Sequence, residues 1–160
     1  MRDAKSAKGK VFFIFISAVF TVFLLYLMLR PVKIIGFHSL SDDVNVILVD
    51  NFPLTDKGKI DWWLKNEKKL EEMNEIPDGN GDGYYHIDFL DFGDGYKEEG
   101  KYDRLCFYDM NTEKNCIDKN IVFSVSKSRN LGTVFTTYEG RYRLGKNDEI
   151  IEDKISFKVW

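Results

Sequence analysis

The stretch VNVILVDNFPLTDKGKIDWWLKNEKKLEE, residues 44–72, changes its hydrophobic period halfway along. Its opening, Val44-Asn45-Val46-Ile47-Leu48-Val49, is rich in β-branched residues and nearly all apolar, the pattern of a strand buried on both faces. Thr55 then offers a hydroxyl suited to the free amides of a helix start. Beyond it Ile60, Trp63, Leu64 and Leu70 recur at helical spacing, while Lys65, Lys68, Lys69, Glu71 and Glu72 face mostly away. An amphipathic helix over roughly residues 56–74 is expected, closed by Pro77. Trp63 belongs to its core stripe, and Trp62, beside the stripe, should be partly exposed.

Downstream the pattern becomes period two. Tyr85, Ile87 and Phe89 alternate with Tyr84, His86 and Asp88. The same alternation recurs at Ile121, Phe123 and Val125, at Tyr142 and Leu144, and at Ile155, Phe157 and Val159. Turn pairs such as Asp94-Gly95, Glu139-Gly140 and Asn147-Asp148 separate these short runs, which suggests an antiparallel meander with no βαβ unit. Upstream, Val32 to Phe37 reads as a first strand and Ser39 to Asp43 as a turn. One helix packed on a small, mostly antiparallel sheet makes the domain α+β.

Before that domain lies Val11 to Leu29, VFFIFISAVFTVFLLYLML, with no charge in it. At the helical rise it spans ~28 Å, about one hydrocarbon core, so a transmembrane helix is expected. Its end lacks the small residues of a cleavage site, which favours an uncleaved signal-anchor over a signal peptide. Arg2, Lys5, Lys8 and Lys10 precede the run and only Arg30 and Lys33 follow it closely. The positive-inside rule then places the N-terminus in the cytoplasm and the rest outside. The expected organisation is a cytoplasmic basic tail at 1–10, a membrane segment at 11–30 in contact with lipid through 11–29, and a periplasmic α+β domain at 31–160.

Without residues 1–33 the chain carries 17 Lys and Arg against 25 Asp and Glu, a net charge near −8. Such a field repels phosphate backbones, so nucleic acid is a poor partner; it suits a basic protein in the envelope, a cation or, most simply, solubility. Cys106 and Cys116 are the only cysteines. In an oxidising periplasm a pair at this spacing is most simply a disulfide, worth roughly 2–3 kcal/mol in the chain-entropy model.

Chemistry-bearing motifs are few. Asp78-Gly79-Asn80-Gly81-Asp82-Gly83 matches the opening of an EF-hand loop. Its twelfth position is Phe89 where a carboxylate should close the shell. Asp78, Asn80 and Asp82 alone would hold calcium weakly, so no metal site and no cofactor are expected. Asp88, Asp91, Asp94, Glu98 and Glu99 surround a hairpin-like turn, and paired carboxylates can hydrolyse sugars, but solvated acids at a turn are the commoner case. His38 and His86 are too few and too isolated for zinc. With no nucleophile elbow, P-loop or H-E-x-x-H, the chain reads as a non-enzyme.

NFPLTDKGKIDWWLKNE (51–67), DFGDGYKEEGKYDRLCFYDM (91–110), KNCIDKN (114–120) and FSVSKSRN (123–130) resemble the enterobacterial family of putative membrane proteins known as domain of unknown function 943. The resemblance covers nearly the whole chain and implies an inner-membrane protein of enteric bacteria, with no activity attached. The function expected is binding of another protein, in the manner of an immunity protein or inhibitor. A cation-responsive envelope sensor or accessory subunit is the alternative.

Overall fold

The computed structural model describes residues 3–77, 83–147 and 149–153. It divides into two compact units, Met1–Pro31 and Val32–Trp160. The first is a single helix, α1 (Asp3–Leu29). The large apolar side chains described along it, Phe12 to Tyr26, are exposed, and the Thr21 hydroxyl is satisfied by donating to the Ser17 carbonyl.

The expected membrane-crossing helix is corrected here. Among the described residues no helix is long and apolar enough to cross a membrane.

The second unit is mostly sheet, which corrects the α+β class assigned to the chain. Its elements run β1 (Lys33–Ser41), β2 (Val44–Asp50), α2 (Asp56–Glu72), β3 (Tyr85–Asp91), β4 (Arg104–Cys106), β5 (Cys116–Asp118), β6 (Ile121–Ser128), β7 (Gly132–Thr136), β8 (Arg141–Leu144) and β9 (Ile150–Glu152). Seven strands form one sheet in the order β1-β2-β3-β6-β7-β8-β9, and β4 and β5 form a separate ribbon.

The expected meander is also corrected. β2 and β3 pair in parallel, with Ile47 opposite Phe89, so β2-α2-β3 is a βαβ unit at one side of the sheet. The other neighbouring pairs are antiparallel. A parallel pair needs a crossover, and α2 supplies it. The unbroken burial of Val46, Ile47, Leu48 and Val49 is the mark of such a strand, covered on both faces.

α2 begins where the Thr55 hydroxyl accepts the Gly58 amide at 3.1 Å. Gly58 has no room for a side chain, since a Cβ would lie 2.9 Å from that hydroxyl and 3.0 Å from Pro53. The helix ends before Pro77 is reached. Asn74 adopts the left-handed region at φ 59°, and the Glu75 amide returns to the Leu70 carbonyl at 3.0 Å. Asp56 pins the helix start to the far strands by accepting from Thr137 at 2.7 Å and Tyr142 at 2.8 Å. The Asp56 hydrogen bond, then burial, pushes the Tyr142 phenol up to about 12.

Two cores lie on opposite faces of the sheet. Under α2, Ile60, Trp63 and Leu70 pack on Ile47, Val49, Ile87, Phe89, Phe123 and Phe135. Leu64, though at helical spacing, is exposed, and Trp62 is half-buried against Phe52 and Phe89. On the opposite face Val46, Leu48 and Leu90 meet Phe107 and Ile117. The seven-stranded sheet is thus sandwiched between a helix and a small ribbon. The expected strand at Ile155, Phe157 and Val159 and the loop ligands Asp78, Asn80 and Asp82 lie outside the described residues.

Candidate functional site

The ribbon side of the sheet holds the polar cluster most at odds with its surroundings. His38 lies in β1 opposite Val46, on the face away from α2. It is 6% exposed. Its Nδ1 lies 2.9 Å from Asp109 Oδ2 and its Nε2 lies 2.8 Å from the Tyr96 hydroxyl. A carboxylate only accepts, so Nδ1 carries the proton, and in the neutral ring Nε2 accepts from Tyr96. The imidazole also stacks on Phe107, with centroids 3.8 Å apart and planes 11° from parallel.

These partners come from segments far apart in the chain. Tyr96 is delivered by a turn in which Gly93 and Gly95 take positive φ, and the Gly95 amide donates to the Phe92 carbonyl at 2.8 Å. Gly36 leaves the space the phenol needs, because a Cβ there would stand 3.0 Å from the Tyr96 oxygen. Burial, then the charge of Asp109, raises the Tyr96 phenol. Phe107 and Asp109 follow β4 directly, inside a loop closed by the Cys106–Cys116 disulfide.

That loop is clamped at its base. Cys106 and Cys116 are also ladder partners. The Phe107 amide donates to the Asn115 carbonyl at 2.8 Å, and Asn115 Nδ2 returns to the Phe107 carbonyl at 3.1 Å. Lys97 and Cys116 exchange two further backbone bonds at 2.7 and 3.0 Å. The loop's other face is open to solvent: Tyr108 is 87% exposed, and the Asp109 side chain, while holding His38, remains 50% exposed. The same layer exposes Tyr102 and the acids Glu98, Glu99, Asp103 and Glu113.

The expected acidic group does not converge. Asp94 is 89% exposed and only loosely paired with Lys97 at 3.4 Å. Lys97 turns to Asp118, which Arg104 Nε also reaches at 3.1 Å. Hydrogen bonding between them raises the Lys97 ammonium and lowers the Asp118 carboxyl. Asp91 ends β3, its amide donating to the Asn120 carbonyl at 3.0 Å.

Asp88 belongs to a different cluster. It accepts from the Ser124 hydroxyl, and its Oδ1 lies 2.9 Å from His86 Nε2. Burial raises the Asp88 carboxyl, but the hydrogen bonds from His86 and Ser124 outweigh it and leave the group lowered. The Asp88 bond raises His86 against a smaller opposing effect of burial. The carboxylate sits between hydroxyl and imidazole, so the histidine is not placed to take the serine proton. That order differs from a nucleophilic triad, in which the imidazole is central.

Among the described residues no group of three or more His, Cys, Asp or Glu is arranged to hold a metal ion. Sequence reasoning misses this cluster, because along the sequence His38 is isolated. Its partners stand 58 and 71 residues away, and no local pattern marks them.

Residues 3–154 match the family described as Enterobacterial putative membrane protein (domain of unknown function 943), and the chain belongs to it. No curated protein and no solved structure matches significantly.

Proposed function

We propose that this family member is a non-catalytic protein-binding module of an oxidising compartment such as the periplasm, and that its disulfide-closed loop docks a basic partner. The observation that carries the reading is the presentation of Tyr108. A large amphipathic ring stands 87% exposed on a loop fixed by the Cys106–Cys116 bond, a backbone pair and the His38–Asp109 contact. An ordered loop loses little further freedom on binding, and tyrosine offers a large contact area for few rotatable bonds. The domain's charge near −8, with Asp103, Asp109 and Glu113 around the loop, favours a cationic target through steering.

The chemistry of the buried groups supports a non-catalytic role. His38 spends both ring nitrogens on holding the loop, and the Ser124 hydroxyl is committed to Asp88. The disulfide favours a compartment outside the reducing cytosol.

The test is a pull-down with the full chain in mild detergent, comparing wild type with Tyr108→Ala. One dominant basic protein should be retained by wild type and lost at least tenfold by the variant, as for an interface hot spot. Equal retention by both proteins, or no retention at low salt, would remove the proposal.

A further inference from the structure

We propose that β1 is a homodimerisation edge, pairing antiparallel with β1 of a second copy about a twofold axis at Phe37. Among the described residues the two edges of the large sheet are unequal. β9 offers three residues and is followed by Asp153, whereas β1 offers nine. Among the described residues the backbone of β1 pairs only with β2, so every second residue of β1 turns its amide and carbonyl outward. A long edge of this kind is a template for another strand unless something blunts it.

Two register shifts, between Ile34 and Gly36 and between Ser39 and Ser41, bend the ends of β1. Between them Gly36, Phe37, His38 and Ser39 stay in regular register with β2, and this segment is the pairing core. The shifts leave Ile35 and Leu40 exposed on either side of it.

A second copy fits this edge for two reasons. The first is apolar. A groove of about 340 Å³ runs along the α2 side of β1; Ile34, Phe37, Trp62 and Met73 give it an apolar wall, and Asn66 and Lys69 of α2 also line it. Antiparallel pairing centred on Phe37 brings the partner's Phe37 directly opposite on that same side, because opposed residues share a sheet face. The other side of β1 is closed already by His38 under the ribbon.

The second reason is charge. Lys33 opens β1 and the exposed Asp42 stands just past its end. Pairing centred on Phe37 sets Lys33 opposite the partner's Ser41 and within reach of the partner's Asp42, and the twofold repeats the contact. An isologous interface requires this self-complementarity, and parallel pairing would place lysine against lysine. The net charge near −8 of each domain opposes association at long range, so the dimer is a modest one.

The experiment is sedimentation equilibrium of the full chain in a mild detergent. Wild type should dimerise reversibly at micromolar concentrations. Lys33→Glu or Asp42→Lys alone turns two attractive contacts into two repulsive ones and should weaken the dimer about tenfold. Lys33→Glu combined with Asp42→Lys should restore it, and Leu40→Lys, at an exposed position, should weaken it without unfolding the chain. A wild-type monomer at high micromolar concentration overturns the proposal. So does a dimer indifferent to all these substitutions, which is what association through α1 would give. None of these substitutions alters Tyr108, and dimerisation is read without a binding partner, so this test and the test of the binding reading can fail separately.

Discussion

Replacing His38 by alanine should loosen the ribbon from the sheet by about 3 kcal/mol. Two hydrogen bonds, to Asp109 at 2.9 Å and Tyr96 at 2.8 Å, contribute about 1 kcal/mol each. The stack on Phe107 adds about 1 kcal/mol. The half-exposed Asp109 can be rehydrated, so no larger charge-burial cost is added. Because the ring joins β1 to the disulfide-closed layer, the loss should appear as local opening. Amides of Phe107 and Cys116, both bonded at the base of the loop, should exchange with solvent roughly a hundredfold faster, while those of β6 change little. A double-mutant cycle with Asp109→Ala isolates the pair and should give a coupling of about 1 kcal/mol. Strict additivity in that cycle, or a loss below about 0.5 kcal/mol in His38→Ala, would refute the idea that this histidine fastens the two layers.

Three further outcomes follow from the same structure. Cys106→Ala with Cys116→Ala opens a loop of sequence separation 10 and should cost about 2.7 kcal/mol, read as a lower urea midpoint. Asp88→Asn should cost roughly 1–2 kcal/mol, with a defined pH window. The raised His86 stabilises below its unfolded value, and that contribution is lost as pH rises through the folded one. The lowered Asp88 stabilises above its unfolded value and loses that contribution as pH falls through the folded one. The difference between wild type and variant should therefore peak between about pH 4 and pH 6.5 in denaturation curves. Thr55→Ala leaves the Gly58 amide without its cap and should lower stability by about 1 kcal/mol, with Thr55→Ser recovering most of it.

Local physics made much of the second unit legible from the sequence. Thr55 caps α2, the stripe of Ile60, Trp63 and Leu70 is buried, and Tyr85, Ile87 and Phe89 share the inward face, because period and capping are properties of a few neighbouring residues. The expected strand at Val32 to Phe37 matches the start of β1, which runs on past it to Ser41. Ser39 looked like a turn residue, yet a register shift carries the strand on to Ser41, and the Ser39 hydroxyl satisfies the Ser41 carbonyl at 3.0 Å.

Pairing is a different kind of information. The apolar run Val46 to Val49 said that both faces were covered, but not that β3 would lie beside it in parallel with α2 as the crossover. Two short apolar strands separated by a helix satisfy either arrangement locally, and only the competition among all seven strands for neighbours selects one.

From the sequence come the positions of α2, β2, β3, β6 and β8, the start of β1, an acidic domain and two cysteines able to join, while the short strands β4, β5, β7 and β9 carry no such local signal. The tertiary structure alone decided that the ribbon folds over the second face, bringing His38, Tyr96 and Asp109 together across 58 and 71 residues. It also decided that Tyr108 is left in solvent while its neighbour Phe107 is buried. Those outcomes depend on contacts whose partners are distant in the chain, so hydrophobic period and turn chemistry, which act over a few residues, leave no trace of them.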